Sequence, residues 1–342
     1  MGSGAFAQDA APPELQPKAF LEAEKSPHAA REILVKATKA GSSLVAVGER
    51  GHIIRSTDKG NTWHQADHVP TQSTLTDVHF LDPKTGWAVG HDAIILYTDD
   101  AGRTWTRQHA DPGGESLLLT IHFFNDAHGF AMGDGSLILE TKDGGASWKR
   151  HTAWRHTYGD FQLSDAFQSP KADTIYVAAD FGALFRFKDT GPTFRLVQTP
   201  AQSTFRRGFM LDDGTVWLAG AKDRLWRSNR RRTNWRSIKT NAEVNLNTGA
   251  ALEDGTLVFA GDQGTVLVSH DKGDTFSRVH TDQLSDYVDV LPIAERKILL
   301  LGSQGLTLAM LPSAQRCPRD RHYMVTCRLT HLETRFKARP KS

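Results

Sequence analysis

Two adjacent arginines, Arg206 and Arg207, with Arg224 in the next apolar stretch, are the residues of this chain best suited to hold a carboxylate. A guanidinium presents its N–H donors as a rigid planar fork that can pair both oxygens of one acid, so converging arginines point to an acidic peptide or a carboxylate ligand. A structural ion pair with neighbouring elements is the competing reading. Opposite in charge stand Asp92, Asp134, Asp180 and Asp262, each in a Gly-rich or Asp-rich bend. Two carboxylates facing one another across a cleft could act as acid and base on a glycosidic bond. A single aspartate in such a bend more simply accepts backbone N–H bonds. His79 in "DVHF" and His122 in "TIHF" could share a metal, but no third ligand repeats with them and repeat packing accounts for both, so neither metal nor cofactor is expected.

The elements that carry these residues repeat. The string "STDKGNTW" at Ser56 to Trp63 returns as "TDDAGRTW", "TKDGGASW" and, with Phe for Trp, "SHDKGDTF". Two weaker copies intervene: "FKDTGPTF" keeps Asp189, Gly191 and Phe194, while "SNRRRTNW" keeps only Ser228 and Trp235. The closing aromatics Trp63, Trp105, Trp148, Phe194, Trp235 and Phe276 are 42, 43, 46, 41 and 41 residues apart. A period of that size marks a propeller or solenoid. About ten residues before each box stands an apolar run, a bend and a second apolar run, as in "VAVGERGHII"; there are seven of these hairpins, one more than the boxes. With a short strand upstream and another from each box aromatic onward, each unit has four strands. The expected fold is an all-β, seven-bladed propeller over residues 30–312.

Each box falls in the turn between the third and fourth strands. There Gly60, Gly102, Gly145 and Gly273 can take a positive φ, and Asp58, Asp100, Asp143 and Asp271 can accept N–H bonds inside the bend. The following aromatic can fill the wedge between blades. A twelve-residue calcium loop beginning at Asp58 would need Glu at its end and finds Val69.

These strings resemble the Asp-box, or BNR, propellers. Within them "GWAVG" at Gly86 to Gly90, followed by the box Thr98 to Trp105, is similar to the photosystem II stability and assembly factor family and its bacterial relatives. The resemblance implies a non-catalytic, exported scaffold that acts as a single chain and binds a protein belonging to a membrane complex, in a periplasm or a thylakoid lumen. Asp boxes also occur in sialidases and other glycoside hydrolases, so a hydrolase and a lectin-like glycan binder remain as alternatives. The Arg-Ile-Pro start and tyrosine setting of sialidases are missing.

The chain has 342 residues, 39% hydrophobic and 23% charged, enough for one propeller, and no apolar run reaches membrane-spanning length. Net charge is +2, with eight Lys/Arg against Asp320 and Glu333 from Ser313 onward, so the body is slightly acidic and is not built to bind nucleic acid. Residues 1–29 read as a leader, in which Ala5-Phe6-Ala7 matches a signal-peptidase site and Glu14 to Glu22 could add a strand that closes the ring. The Arg-rich segment 313–342, with Cys317 and Cys327, reads as a loose tail whose cysteines could bridge. Partner contacts are expected on the face away from the boxes, where Arg50, His91, Arg206, Arg207 and Arg224 join the long link carrying Trp154, Arg155, His156 and Tyr158.

Overall fold

The structure, a computed structural model, describes residues 16–313 except 115, 169–173, 189–190, 222–223 and 282–283, together with 327–328, 330–332 and 335–336. Seven antiparallel sheets of four strands follow one another along the chain, two of them with an added fifth strand. Their inner strands begin at Leu34, Leu75, Leu118, Leu163, Phe205, Leu246 and Tyr287. Each inner strand packs on the next, and Leu34–Ala40 packs on Tyr287–Ala294, so the ring closes as a seven-bladed propeller.

The boxes do what their residue types require. Asp58 accepts from the Thr62 N–H at 2.8 Å, the Thr62 hydroxyl at 2.6 Å and the Ser56 hydroxyl at 2.8 Å, while Gly60 sits at φ +81°. The Trp63 indole donates to the Gly60 carbonyl at 3.0 Å, and its ring is wholly buried among Leu44 and Ile54 of blade one and Leu299 and Leu308 of blade seven. Trp105 repeats this between blades one and two. Filling an interblade wedge with one such ring is worth roughly 2–3 kcal/mol. Trp148, Phe194 and Phe276 are only half-buried. Asp189 lies outside the described residues, and Gly191 opens the outer strand of blade four. In blade five Asn229 takes over the box role: its side-chain oxygen accepts the Thr233 N–H at 2.9 Å, the same four-residue reach as from Asp58 to Thr62.

In the second box Asp100 accepts from the Arg103 and Thr104 N–H groups at 2.8 and 2.9 Å and from two threonine hydroxyls. Burial opposes its ionisation, but these hydrogen bonds, led by Thr104, hold its carboxyl down at about 2. The stability it lends is present above the ordinary carboxylate value and is lost as pH falls toward about 2. Asp100→Ala should therefore cost about 1–3 kcal/mol in denaturant unfolding at neutral pH, the cost of leaving such donors unmet. A cost that persists unchanged at pH 2.5 would contradict this origin.

Both chain ends depart from expectation. The fourth position of blade seven is filled by Thr330–Leu332 from the C-terminal segment, paired antiparallel to Gly305–Met310, and not by the described part, residues 16–22, of the expected N-terminal strand. Residues 16–29 instead dock along the link from blade one to blade two: the Ala23 N–H donates to the Val69 carbonyl, and Arg107 donates to Ala19 and Pro70 carbonyls while lying over the Phe20 ring. The C-terminal segment also pairs Cys327–Arg328 with Val279–His280 of blade six and Arg335–Phe336 with Thr62–Trp63 of blade one. Cys317 and the side chain of Cys327 lie outside the described residues.

Candidate functional site at the channel mouth

Every inner strand starts with a buried apolar anchor, followed after a bulge in the pairing by a polar or charged residue. The column reads Lys36, Asp77, Thr120, Asp165, Arg207, Thr248 and Asp289 around the axis. Four of these stitch one blade to the next by the same bond. Asp77 accepts the Ile121 N–H at 2.9 Å, Thr120 the Ala166 N–H at 3.0 Å, Asp165 the Gly208 N–H at 2.9 Å, and Asp289 the Ala37 N–H at 2.9 Å. In each case the donor is the residue just after the next blade's column member.

Charge within the ring is nearly balanced. Arg207 spans the channel, donating to Asp165 of blade four at 2.9 Å and to Asp289 of blade seven at 2.8 Å. The Lys36 ammonium stands 3.8 Å from Asp77 and 3.7 Å from Asp165. Burial alone would lower the Lys36 pKa, but Asp289, Asp77 and Asp165 override it and raise it above the ordinary value. Burial pushes Asp165 up to about 7, against the pull of Lys36 and the Gly208 N–H, and pushes Asp289 up as well.

Above the ring, the residues one position earlier wall a cavity of about 440 Å³ that opens on the face away from the boxes: Val35, Thr76, Leu119, Ser164, Arg206, Asn247 and Val288. Arg206 is the exposed cation of this wall. It donates to the Asn247 side-chain oxygen at 2.7 Å, and Asn247 in turn donates to Asp262 at 2.7 Å. Among the described residues Arg206 makes no ion pair.

The other expected contact residues divide. Arg207 bridges two buried carboxylates, the ion-pair reading of it, and also lines the cavity beside Arg206. Arg224 is exposed but lies on the third strand, donating to Ser237 at 2.8 Å, and does not line the cavity. Arg50 and His91 are exposed in the bends of blades one and two. The link before blade four contains the short helix Ala153–Tyr158, where strand and loop alone were expected. Trp154 is buried there, donating to Ser136 at 3.1 Å, and so offers no stacking platform; Tyr158 ties the helix to the Phe194 carbonyl at 2.9 Å. Arg155 is exposed but forked onto Asp160, and His156 is exposed.

The acidic candidates serve their bends. Asp92 accepts from Ser73, Asp180 from the Gln162 N–H, and Asp262 from Asn245 and Asn247, while Asp134 is exposed. The carboxylates gathered at the axis, around Lys36 and Arg207, are Asp77, Asp165 and Asp289, which sequence reasoning did not single out as acids. The His79 and His122 rings meet at a 40° tilt with centroids 4.6 Å apart; burial holds His79 well below its ordinary value and lowers His122 also. No group of three or more metal-ligating side chains occurs among the described residues.

Fold and axis together define an Asp-box seven-bladed propeller whose channel is plugged by a polar ring, with a cavity above the ring on the face away from the boxes. The chain is similar to the photosystem II assembly factors: residues 62–206 match the family described as "Photosynthesis system II assembly factor YCF48". It is 35% identical over 81 residues to the chloroplastic photosystem II stability/assembly factor HCF136 of Cyanidioschyzon merolae, a match covering 22% of this chain and 18% of that protein. The chain thus spans less than a fifth of that relative's own length. Among solved structures, "YCF48 bound to D1 peptide" shares the fold with TM-score 0.68 at 18% identity, covering 83% of this chain and 95% of that one. A glycoside hydrolase, the GH74 enzyme of Niastella koreensis, shares it with TM-score 0.67 at 14% identity over 91% of this chain and 55% of its own. No helix among the described residues is long and apolar enough to cross a membrane.

Proposed function

We propose that the protein is a non-catalytic scaffold of an exported compartment that captures an acidic segment of a membrane-complex protein at its channel mouth. The observation carrying this reading is Arg206: an exposed guanidinium, free of carboxylate partners among the described residues, at the rim of a cavity walled by all seven blades. Exposed apolar side chains on the same face, Ile33, Leu284 and Val288, give the rim the mixed character of a protein contact surface. The likeness to photosystem II assembly factors, and the neighbour solved with a peptide, support a protein partner.

A hydrolase reading rests on Asp77 and Asp165, which share one ammonium and border the open cavity. Their oxygens are already taken by Thr120, the Ile121 and Gly208 N–H groups and Arg207, so neither is placed to work on an incoming sugar. Turnover of an aryl glycoside, abolished by Asp165→Asn in a folded protein, would overturn the scaffold reading.

The direct test uses a fluorescently labelled peptide with a run of Asp and Glu. Arg206→Glu is expected to leave the propeller folded and to lower the association rate about tenfold at low ionic strength, with a flatter salt dependence. Unchanged affinity and salt dependence in the folded variant would refute the site.

A further inference from the structure

At the tip of blade four's bend, Asp180–Gly182, an aromatic occupies a backbone conformation that it fits poorly. Phe181 has φ +53°, and the corresponding bend position carries Arg50 in blade one, Asp92 in blade two, Gly135 in blade three and Gln263 in blade six. The left-handed region crowds a Cβ and suits glycine or short polar residues, so a phenylalanine there carries strain. It also gains little burial in return: Phe181 is 70% exposed, and its ring stands edge-on to Phe161 with centroids 6.2 Å apart.

The bend itself is clamped. The Asp180 N–H donates to the Gln162 carbonyl, and the Gln162 N–H donates back to the Asp180 carboxylate at 3.2 Å. On the other side the Thr199 hydroxyl donates to the Gly182 carbonyl at 2.6 Å, and a Cβ on Gly182 would lie 2.2 Å from the Ala201 carbonyl oxygen. Phe181 is therefore presented on a rigid support between the links into blades four and five. Gln162 also lines the mouth cavity, and the bend packs against the inner strand that bears Arg206. An apolar side chain held out to solvent on strained backbone, beside an exposed cation, has no account in the packing of the propeller.

We propose that Phe181 is an apolar anchor of the mouth: the captured segment is an extended peptide carrying a large apolar side chain a few residues from its acidic group, the first covering Phe181 while the second meets Arg206. This rests on the reading of the mouth as an acidic-peptide site and adds the sequence character that it selects. Aromatic and arginine side chains are among the residue types enriched at protein interfaces.

The test uses two fluorescein-labelled peptides with the same Asp-Glu-Asp run, one preceded by Leu-Phe-Gly and the other by Ser-Ser-Gly, titrated by anisotropy. The wild type is expected to bind the Leu-Phe peptide about tenfold more tightly than the Ser-Ser peptide. Phe181→Gly should erase that preference, keep the Ser-Ser affinity, and melt at the same or a higher temperature because strain is relieved. Equal binding of the two peptides to the wild type, or a preference surviving in Phe181→Gly, overturns the anchor and leaves the mouth site standing. A lower melting temperature for Phe181→Gly assigns the ring to packing and also overturns it. Failure of either peptide to bind the wild type, or binding that Arg206→Glu does not weaken, overturns the mouth site and the anchor with it.

Discussion

Arg207→Met should destabilise the propeller by about 3–5 kcal/mol at pH 8, the cost of removing one partner from a buried ionic cluster. Among the described residues the guanidinium is the side chain that hydrogen-bonds both Asp165 of blade four and Asp289 of blade seven, and without it Lys36 is left as the ring's cation for Asp77, Asp165 and Asp289. The pH dependence distinguishes this cause from lost packing. Asp165 has its pKa raised to about 7, so the stability associated with its protonated form is present at low pH and is lost as pH rises from the ordinary carboxylate range through about 7. Below that point a proton can neutralise Asp165 in place of the guanidinium, and the penalty of Arg207→Met should shrink between pH 8 and pH 5. Urea unfolding at the two pH values measures both. A penalty under 1 kcal/mol at pH 8, or one equal at both pH values, would show that the bridge contributes through shape only. Arg207→Lys should recover only part of the loss, since a single ammonium cannot reach both acids as a fork does.

The blades were legible because each repeats a local rule. Asp, Gly and an aromatic at fixed offsets form one turn wherever they occur, and the bonds at Asp58, Asp100, Asp143 and Asp271 follow the same pattern. Where the residue type changed the string became unreadable although the bond survived: Asn229 offers the same acceptor as Asp with the spacing from Ser228 shortened by one residue. The axial ring was half legible. Set beside "QSTLTDVHF" of blade two, "QSTFRRGFM" of blade five puts Arg206 and Arg207 on Thr76 and Asp77, and the same column continued through all seven inner strands holds Lys36 and Arg207 among three acids. What one chain's sequence does not carry is which partners face one another across the axis. Arg207 meets Asp289 of a blade two places further round the ring, a proximity set by closure and by no local spacing. Trp154 failed for a related reason. Its link looked like a loop, and only the Ser136 hydroxyl and the aromatic rings of blade four turn that indole inward.

Deleting residues 327–342 should remove about 3 kcal/mol of stability and make the protein self-associate. Thr330–Leu332 is the fourth strand of blade seven, and its register places Leu332 on Leu308, Thr330 on Met310 and His331 on Ala309. Without it, Gly305–Met310 becomes an open edge with unpaired N–H and C=O groups along a largely apolar strand, a template for pairing with a second copy. The same deletion removes the parallel pairs that fasten the segment to Val279–His280 of blade six and Thr62–Trp63 of blade one, so three neighbouring blades lose a shared strap at once. Each ladder hydrogen bond lost costs a net ~0.5–1 kcal/mol. The inner ring would still close, because Leu34–Ala40 packs on Tyr287–Ala294 without help from the tail. The expected product is therefore a folded, weakened propeller that sediments as dimers and larger species. A truncated chain that stays monomeric and unfolds at the wild-type midpoint would show that the C-terminal strand adds nothing to closure.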